Sequence, residues 1–330
     1  MKKSVLKSLL MALACAALLF GAAGCAQNSQ KGGEASGAVT GETAYPISIT
    51  DDLGNNVEIE KEPAKIVSLS PANTEILFAL GVGDKVVGRT DYCNYPEEAA
   101  QVATIGDYNN PNVEKIISLA PDVVLAGDLI SDDVRSQIEA TGAKVITYTP
   151  MSVDAVESTI INTGKVVNAN DKAKEITDSM TKKYDEIKEK AAAANPQKSV
   201  FIDIGGYYSA GDNSLLGNIL KDINAKNIAS DAGTDWPQLS VEQIIAKNPD
   251  VYVSFFTTPD EIKKVPGFDQ VNAVKNDAIV YYEMLSPDSD LIQRPGPRIV
   301  DGLELLATAV YPDQFKSVSY THLDVYKRQV

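Results

Sequence analysis

The residue types that carry most covalent catalysis are scarce in this chain. Its 330 residues include one histidine, His322, and three cysteines. His322 falls in a terminal segment that we expect to be foreign, so a Ser-His-Asp or Cys-His mechanism is excluded. Zinc sites that depend on histidine are excluded as well, and no Asp/Glu pair falls in a motif for hydrolysis. We therefore predict no catalytic residue, no metal site, no resident cofactor and no enzyme activity.

The segment at residues 317–330 differs from the rest of the chain. Positions 318 to 329 read Val-Ser-Tyr-Thr-His-Leu-Asp-Val-Tyr-Lys-Arg-Gln. This run resembles the translation of two sequencing adapters joined head to head. We expect it to be an artefact that begins near Ser317, and without it the chain has no histidine.

Charge and cysteine content limit the partners. The formal net charge is −15, and no basic patch occurs. An acidic surface repels nucleic acid and anionic lipid, so we expect no nucleic-acid partner. Of the three cysteines, Cys15 would leave with an amino-terminal leader and Cys25 would carry lipid, so only Cys93 remains and we expect no disulfide framework.

The first 45 residues have the pattern of an export signal followed by a tether. Lysines at the start precede the apolar run Leu9–Phe20, which is too short for a stable membrane span. The tetrapeptide Ala22–Cys25 resembles a lipobox. We therefore expect residues 1–24 to be a lipoprotein signal peptide and Cys25 to carry lipid. Residues 25–45, rich in Gly, Ser, Ala and Gln, would be a flexible tether outside the cytoplasm.

Strand and helix patterns alternate in two blocks separated by one long helix. The first block, residues 46–165, opens with a hairpin and continues through buried strands at Lys65–Leu69, Val123–Ala126 and Val145–Thr147. Such alternation predicts a parallel α/β lobe. The second block, residues 197–316, begins at the strand Val200–Ile204 and predicts another such lobe.

The segment between the blocks, residues 166–196, contains the longest predicted helix. Residues 170 to 194 lack Gly and Pro, and one stripe of the helix is apolar: Ala173, Ile176, Met180, Ile187 and Ala191. Spacings of three, four and seven residues are those of one helix face. We predict an α/β protein with two Rossmann-like lobes bridged by this single helix.

An internal repeat links the two blocks. Residues 112–123 read Asn-Val-Glu-Lys-Ile-Ile-Ser-Leu-Ala-Pro-Asp-Val, and residues 240–251 read Ser-Val-Glu-Gln-Ile-Ile-Ala-Lys-Asn-Pro-Asp-Val. Each copy predicts a short helix, a Pro-Asp turn and a buried strand. Two similar lobes leave a cleft between them, where ligands commonly bind.

Several motifs make the chain, over about residues 46–316, similar to a known family. The family is that of the periplasmic binding proteins for vitamin B12, iron-siderophores and haem, and the resemblance is greatest to its cobalamin branch. The motifs are Ile66–Gly81, Val87-Gly88, Tyr92–Pro96, Asn110–Glu114, Trp236–Glu242 and Gly296–Arg298. The resemblance implies an extracytoplasmic binding component of an ABC importer, with the permease and ATPase complex as partners and with a monomeric chain.

The resemblance also implies roles for individual residues. Glu114 and Glu242 match glutamates that dock into arginine pockets of the permease, and both also lie where a helix N-terminus favours a carboxylate. The ligand-binding positions that match are Tyr92, Tyr108, Tyr207 or Tyr208, Trp236, Asp290 and Arg294. Gly127 departs from the pattern, because it stands where another aromatic residue is found.

The ligand that the resemblance favours is cobalamin or a related corrinoid, because broad aromatic side chains suit a large amphipathic molecule. A ferric siderophore is the alternative, with Arg89, Arg294 and Arg298 as cations for an anionic ligand. Haem is a third choice, in which a tyrosine would ligate the iron. Two rivals from other classes are an exported enzyme on a similar scaffold and an adhesive or structural lipoprotein.

Overall fold

The computed structural model describes residues 40–127 and 129–315. The expected signal peptide, Cys25, most of the expected tether and the segment 317–330 with His322 lie outside them. Among the residues that are described, none of the helices combines the length and the apolar character needed to cross a membrane.

The first half of the described chain contains a hairpin and a four-stranded parallel sheet. The hairpin pairs β1 (Ile47–Thr50) with β2 (Asn56–Ile59). The sheet contains β3 (Ile66–Ser68), β4 (Val86–Arg89), β5 (Val123–Ala126) and β6 (Lys144–Thr147), in the order β4-β3-β5-β6. Its helices are α1 (Pro71–Ala79), α2 (Val113–Ser118), α3 (Asp132–Glu139) and α4 (Val153–Val166). Every residue of β5 is buried, as expected for a parallel strand covered on both faces.

The long predicted helix is present as α5 (Asn170–Ala192), which is about 34 Å long at 1.5 Å per residue. Its buried residues include Ala173, Met180, Ile187 and Ala191 of the predicted stripe. It packs against α4, which precedes it, and against α11 (Ile299–Val310) and α12 (Pro312–Phe315), which end the described chain.

The second half repeats this arrangement. Its parallel sheet contains β7 (Ser199–Asp203), β8 (Lys226–Asn227), β9 (Val251–Ser254) and β10 (Ile279–Tyr281), in the order β10-β9-β7-β8. The helices that precede α11 are α6 (Leu215–Asp222), α7 (Val241–Lys247), α8 (Pro259–Ile262), α9 (Asn272–Lys275) and α10 (Pro287–Gln293).

The two sheets share one topology. If the strands of each half are numbered along the chain, both sheets read 2-1-3-4 from one edge. The order of connection reverses between the first and third strands, and in open α/β sheets ligands bind beside the carboxyl ends of the strands at such a point. The internal repeat falls on the same place in both halves, because α2 leads into β5 and α7 leads into β9.

The repeated Pro-Asp turn has a structural reason. Each short helix is followed, within two residues, by a residue with left-handed backbone, Ala120 (φ +49°) or Asn248 (φ +48°). The following aspartate then holds the start of the first strand of its own sheet. Asp122 accepts hydrogen bonds from the Ala64 and Lys65 N–H groups at 2.8 and 2.9 Å. Asp250 accepts one from the Ser199 N–H at 3.0 Å and one from the Ser199 hydroxyl at 2.9 Å.

Contacts at the amino-terminal end begin before Tyr45, where the sequence suggested that the tether would end. The Gly41 N–H donates to Asp171 at 2.9 Å, and the Thr43 N–H donates to Asn168 at 2.7 Å. The Tyr45 hydroxyl donates to the Val166 carbonyl at 2.7 Å. Side chains at the junction of α4 and α5 therefore bind the backbone that leads into β1, and the Tyr45 hydroxyl binds the last residue of α4.

Candidate ligand-binding site

Four aromatic side chains are widely exposed. Three of them lie in loops that follow strands, and the fourth lies in a segment that is hydrogen-bonded to such a loop. The exposed fractions are 41% for Tyr92, 47% for Tyr208, 50% for Trp236 and 50% for Phe256. Large apolar side chains are normally buried, so a group of this kind marks a surface that contacts something else.

Tyr92 lies in the loop that follows β4. The loop turns back through the Cys93 N–H, which donates to the Thr90 carbonyl at 3.1 Å. Cys93 is a buried free cysteine. Its Sγ lies 3.2 Å from the Thr90 hydroxyl oxygen. The thiol packs inside the loop, whereas the neighbouring Tyr92 ring faces outward.

Tyr108 lies beside the carboxyl end of β5. It lines a pocket of about 80 Å³ together with Leu69, Pro111, Gly127 and Leu129. A Cβ atom added at Gly127 would lie 2.9 Å from the Tyr108 hydroxyl oxygen. Gly127, which stands where an aromatic residue was expected, thus leaves room for the Tyr108 side chain. A larger residue at position 127 would need that same room.

Two adjacent tyrosines follow β7, and the structure separates them. The buried carboxylate of Asp203 accepts hydrogen bonds from the Gly205 and Tyr207 N–H groups at 2.9 and 3.1 Å, and from the Tyr252 hydroxyl at 2.8 Å. This holds Tyr207 at φ +63° with its ring 6.2 Å from that of Phe268 in the core. Tyr207 packs inward, and Tyr208 is the tyrosine that is exposed.

Burial and the negative charge of Asp203 raise the pKa of the Tyr207 hydroxyl. Burial also raises the pKa of Tyr252, and the contact with Asp203 adds to that shift. Both hydroxyl groups therefore stay protonated at neutral pH. The Tyr252 hydroxyl thus keeps the proton that it donates to the Asp203 carboxylate. Together these bonds fix the backbone from which Tyr208 projects.

Trp236 is carried by a segment that is hydrogen-bonded to the same loop. The Ser209 N–H donates to the Pro237 carbonyl at 2.7 Å, and the Gly211 N–H donates to the Asp235 carbonyl at 2.8 Å. The Leu239 N–H donates to the Tyr207 carbonyl at 3.1 Å. Tyr208 and Trp236 therefore belong to one backbone-bonded unit at the carboxyl edge of the second sheet.

Phe256 was not identified from the sequence. It comes directly after β9 and Phe255, and its ring lies against Gly205, where an added Cβ would approach it to 3.1 Å. Two phenylalanines after a buried strand were the available signal: alternation turns the first inward and the second outward. Phe255 is fully buried, in agreement with that alternation.

Asp290 and Arg294 lie in a charged cluster between the halves. Arg294 pairs with Asp290 at 2.7 Å and with Glu75 on α1 at 3.1 Å. Arg298 pairs with Glu75 at 2.7 Å. Burial raises the pKa of Asp290 and the charge of Glu75 adds to the shift, while Arg294 and Arg298 oppose it. The guanidinium group of Arg294 thus already has carboxylate partners.

Glu114 and Glu242 are exposed residues in the first turns of α2 and α7. Asn112 and Ser240 cap these helices by accepting from the Lys115 and Gln243 N–H groups. Hydrogen bonds from the Glu242 N–H and from Ser240 lower the pKa of the Glu242 carboxyl. Two exposed glutamate side chains therefore project from equivalent helices of the two halves.

The site presents mainly exposed aromatic surface. Within residues 40–127 and 129–315, no three His, Cys, Asp or Glu side chains are grouped so as to hold a metal ion. The exposed aromatic rings can bury a flat apolar ligand with little loss of side-chain entropy.

Comparison with known proteins gives consistent matches. A family described as periplasmic binding protein matches residues 66–284. An uncharacterised ABC transporter substrate-binding lipoprotein of Bacillus subtilis, YvrC, is 40% identical over 286 residues, covering 82% of this chain and 88% of the relative. A cobalamin-binding protein of Halobacterium salinarum is 26% identical over 278 residues, covering 81% and 75%.

A solved structure supports the fold at the level of coordinates. A possible iron-binding (periplasmic solute-binding) protein of Staphylococcus epidermidis superimposes with a TM-score of 0.64 at 31% identity. The match covers 76% of this chain and the whole of that one.

Proposed function

The chain belongs to the family of periplasmic binding proteins and is an ABC transporter substrate-binding protein, and we propose that it captures cobalamin or a related corrinoid. The ligand lies in a cleft between two α/β lobes, residues 46–165 and 197–316, which the segment 166–196 with α5 bridges. The protein delivers this ligand to an importer's permease and ATPase complex and performs no chemistry on it.

The observation that carries the proposal is the set of exposed aromatic rings. The first half contributes Tyr92 and the half-buried Tyr108, and the second half contributes Tyr208, Trp236 and Phe256. A corrin ring and its nucleotide base are broad and partly apolar, so aromatic faces on two sides suit them. The cobalamin-binding relative from Halobacterium agrees with this choice.

A ferric siderophore is the second candidate, and the possible iron-binding relative from Staphylococcus favours it. Its anionic groups would need cations, but the three predicted arginines have other partners. Arg89 donates to the Ala99 carbonyl at 2.9 Å and to the Thr90 carbonyl at 2.9 Å. Arg294 and Arg298 are paired with carboxylates. This arrangement favours the corrinoid over the siderophore, and haem remains the third candidate.

Glu114 and Glu242 dock the protein onto the permease in this proposal. Their exposure on equivalent helices, α2 and α7, supports the role, because two separated carboxylates can pair with two arginine-rich sites and fix the orientation of the complex. The protein docks onto the permease as a monomer. Each half of the single chain presents one glutamate.

The protein is held outside the cytoplasm by lipid on Cys25, after removal of residues 1–24. The lipoprotein relative from Bacillus supports this anchor. The tether then reaches the fold at Gly41, where Asp171 binds the backbone.

Titration of the purified protein with cyanocobalamin tests the ligand. Trp236 is the only tryptophan in the chain, so its fluorescence reports on the site, and calorimetry gives an independent stoichiometry. We expect saturable one-to-one binding that Trp236→Ala and Tyr92→Ala weaken. Leu53→Ala is the control, because Leu53 is a similarly exposed apolar residue at the tip of the β1–β2 hairpin.

Absence of binding to cyanocobalamin and to cobinamide would contradict the corrinoid assignment, and ferric siderophores would then be screened before haem. Turnover of a substrate that depends on a carboxylate of the site would instead support the enzyme alternative.

A further inference from the structure

One buried carboxylate on the first half holds two arginines of the second half. Glu75 lies in the middle of α1, and its side chain is 2% exposed. Its Oε1 accepts from Arg294 Nη1 at 3.1 Å and from Arg298 Nη2 at 2.7 Å, and its Oε2 accepts from Arg298 Nε at 2.9 Å. Arg298 therefore binds Glu75 through two parallel bonds, which is the strongest geometry for this pair.

The same two arginines also contact the loop that presents Tyr92. Arg294 donates to the Asn94 side-chain oxygen at 2.8 Å and to the Tyr92 carbonyl at 3.4 Å. The guanidinium carbon of Arg298 lies 3.6 Å from the centroid of the Tyr95 ring. Glu75 thus anchors cations that touch the Tyr92 loop from the opposite half of the molecule.

The charges in this cluster balance only when all of its members are present. Glu75 and Asp290 supply two negative charges, and Arg294 and Arg298 supply two positive ones. Removing one carboxylate leaves a partly buried cation without its counter-charge, and such a cation moves towards water or another partner. Because both arginines belong to the second half, their movement would change how the halves meet.

We propose that Glu75 is a positioning residue for ligand capture, which clamps Arg294 and Arg298 onto the first half and thereby fixes the cleft width and the Tyr92 loop. Arg294 serves this clamp, and its contact with a ligand is secondary. The inference about capture rests on the proposed function, whereas the inference about cleft width does not.

The test compares Glu75→Gln with a matched variant, Asp51→Asn. Asp51 is 4% exposed and pairs with Arg135 at 3.0 Å, but both residues lie within the first half, away from the second. Spin labels are attached at Ser118→Cys on α2 and Ala246→Cys on α7, both of which are exposed positions. Electron paramagnetic resonance then measures the distance between the two halves. The buried Cys93 resists labelling.

We expect Glu75→Gln to shift or broaden the distance distribution and to weaken cyanocobalamin binding by about tenfold or more. Glu75→Asp, which keeps the charge, should restore part of both. Asp51→Asn should lower the unfolding midpoint but leave the distance and the affinity unchanged.

An unchanged distance distribution in folded Glu75→Gln overturns the proposal, and so does a changed distribution with unchanged affinity. If the parent protein does not bind cyanocobalamin, the corrinoid assignment fails. The distance measurement still decides whether Glu75 sets the cleft width.

Discussion

Tyr108 and Trp236 occupy equivalent places in the two halves. Each follows an aspartate, Asp107 or Asp235, and each lies four residues before the capping residue of its exposed helix, Asn112 or Ser240. The repeat therefore extends upstream of the helices, and each half carries an aromatic ring and an exposed glutamate on one short stretch of chain. In the proposed complex, this equivalence would give the ligand one aromatic contact of the same origin from each half.

The two tyrosines after β7 should behave differently when mutated. Tyr208→Ala removes an exposed ring and should weaken cyanocobalamin binding by about tenfold, given about 1–3 kcal/mol per ring stacked on a flat ligand. Tyr207→Phe should leave the affinity unchanged, because the Tyr207 ring packs on Phe268. Calorimetric titration of both variants measures this, and equal losses would contradict the assignment of Tyr208 as the contact.

Neutralising the proposed docking glutamates should separate transport from binding. Glu114→Gln and Glu242→Gln should each reduce ligand uptake through the permease while the affinity for the ligand stays at the parent value, because both side chains lie on the exposed helices. Uptake into proteoliposomes and titration of the free protein measure the two quantities. Glu189→Gln on α5 removes the same charge from another exposed site and should change neither. Loss of ligand affinity in the docking variants would contradict the role.

Replacing Ala120 by glycine should stabilise the fold. Ala120 has φ +49°, a left-handed conformation that costs a residue with a Cβ atom about 1 kcal/mol relative to glycine. Ala120→Gly should therefore raise the free energy of unfolding by roughly 0.5–1 kcal/mol in urea denaturation. Ala140→Gly is the matched control, because Ala140 ends α3 with φ −61° and should lose stability instead. Loss of stability in both variants would contradict the argument.

Asp250 should make stability depend on pH on the acid side. Burial opposes ionisation, but hydrogen bonds from Ser199 and Asn272 outweigh it and lower the pKa of Asp250 below its usual value of 3.8. A group whose pKa is lower in the folded state stabilises the fold above its unfolded pKa. That contribution is lost as pH falls through the folded pKa.

Asp250→Asn should therefore cost about 1–2 kcal/mol at pH 7. The difference from the parent protein should shrink as pH falls below about 4. Urea denaturation across this range measures it, with the exposed Asp185→Asn as control. A difference that is constant between pH 7 and pH 3 would show that the ionisation of Asp250 contributes nothing.

Much of the fold could be predicted from local pattern. The helix α5 and the strand Val123–Ala126 appear where spacing and burial pattern put them, because a helix stripe and a short apolar run are properties of neighbouring residues. The helix α4 was missed although Ser152, Val153, Val156 and Ile160 carry a cap and a helical spacing. The short helices α8, α9 and α12 could not be predicted from the sequence, because a run of four residues is too short to show helical periodicity.

The sequence by itself determined the repeat with its two glutamates and the motifs that show the family. Only the tertiary structure decided which aromatic rings are exposed. Tyr207 and Tyr208 are identical residues side by side, and the hydrogen bonds of Asp203 turn one into the core and the other outward. The tertiary structure also decided which residues Arg294 contacts, because its partner Glu75 is 219 residues away in the chain. Such long-range pairing leaves no trace in local spacing, since it joins a residue of the first half to one of the second.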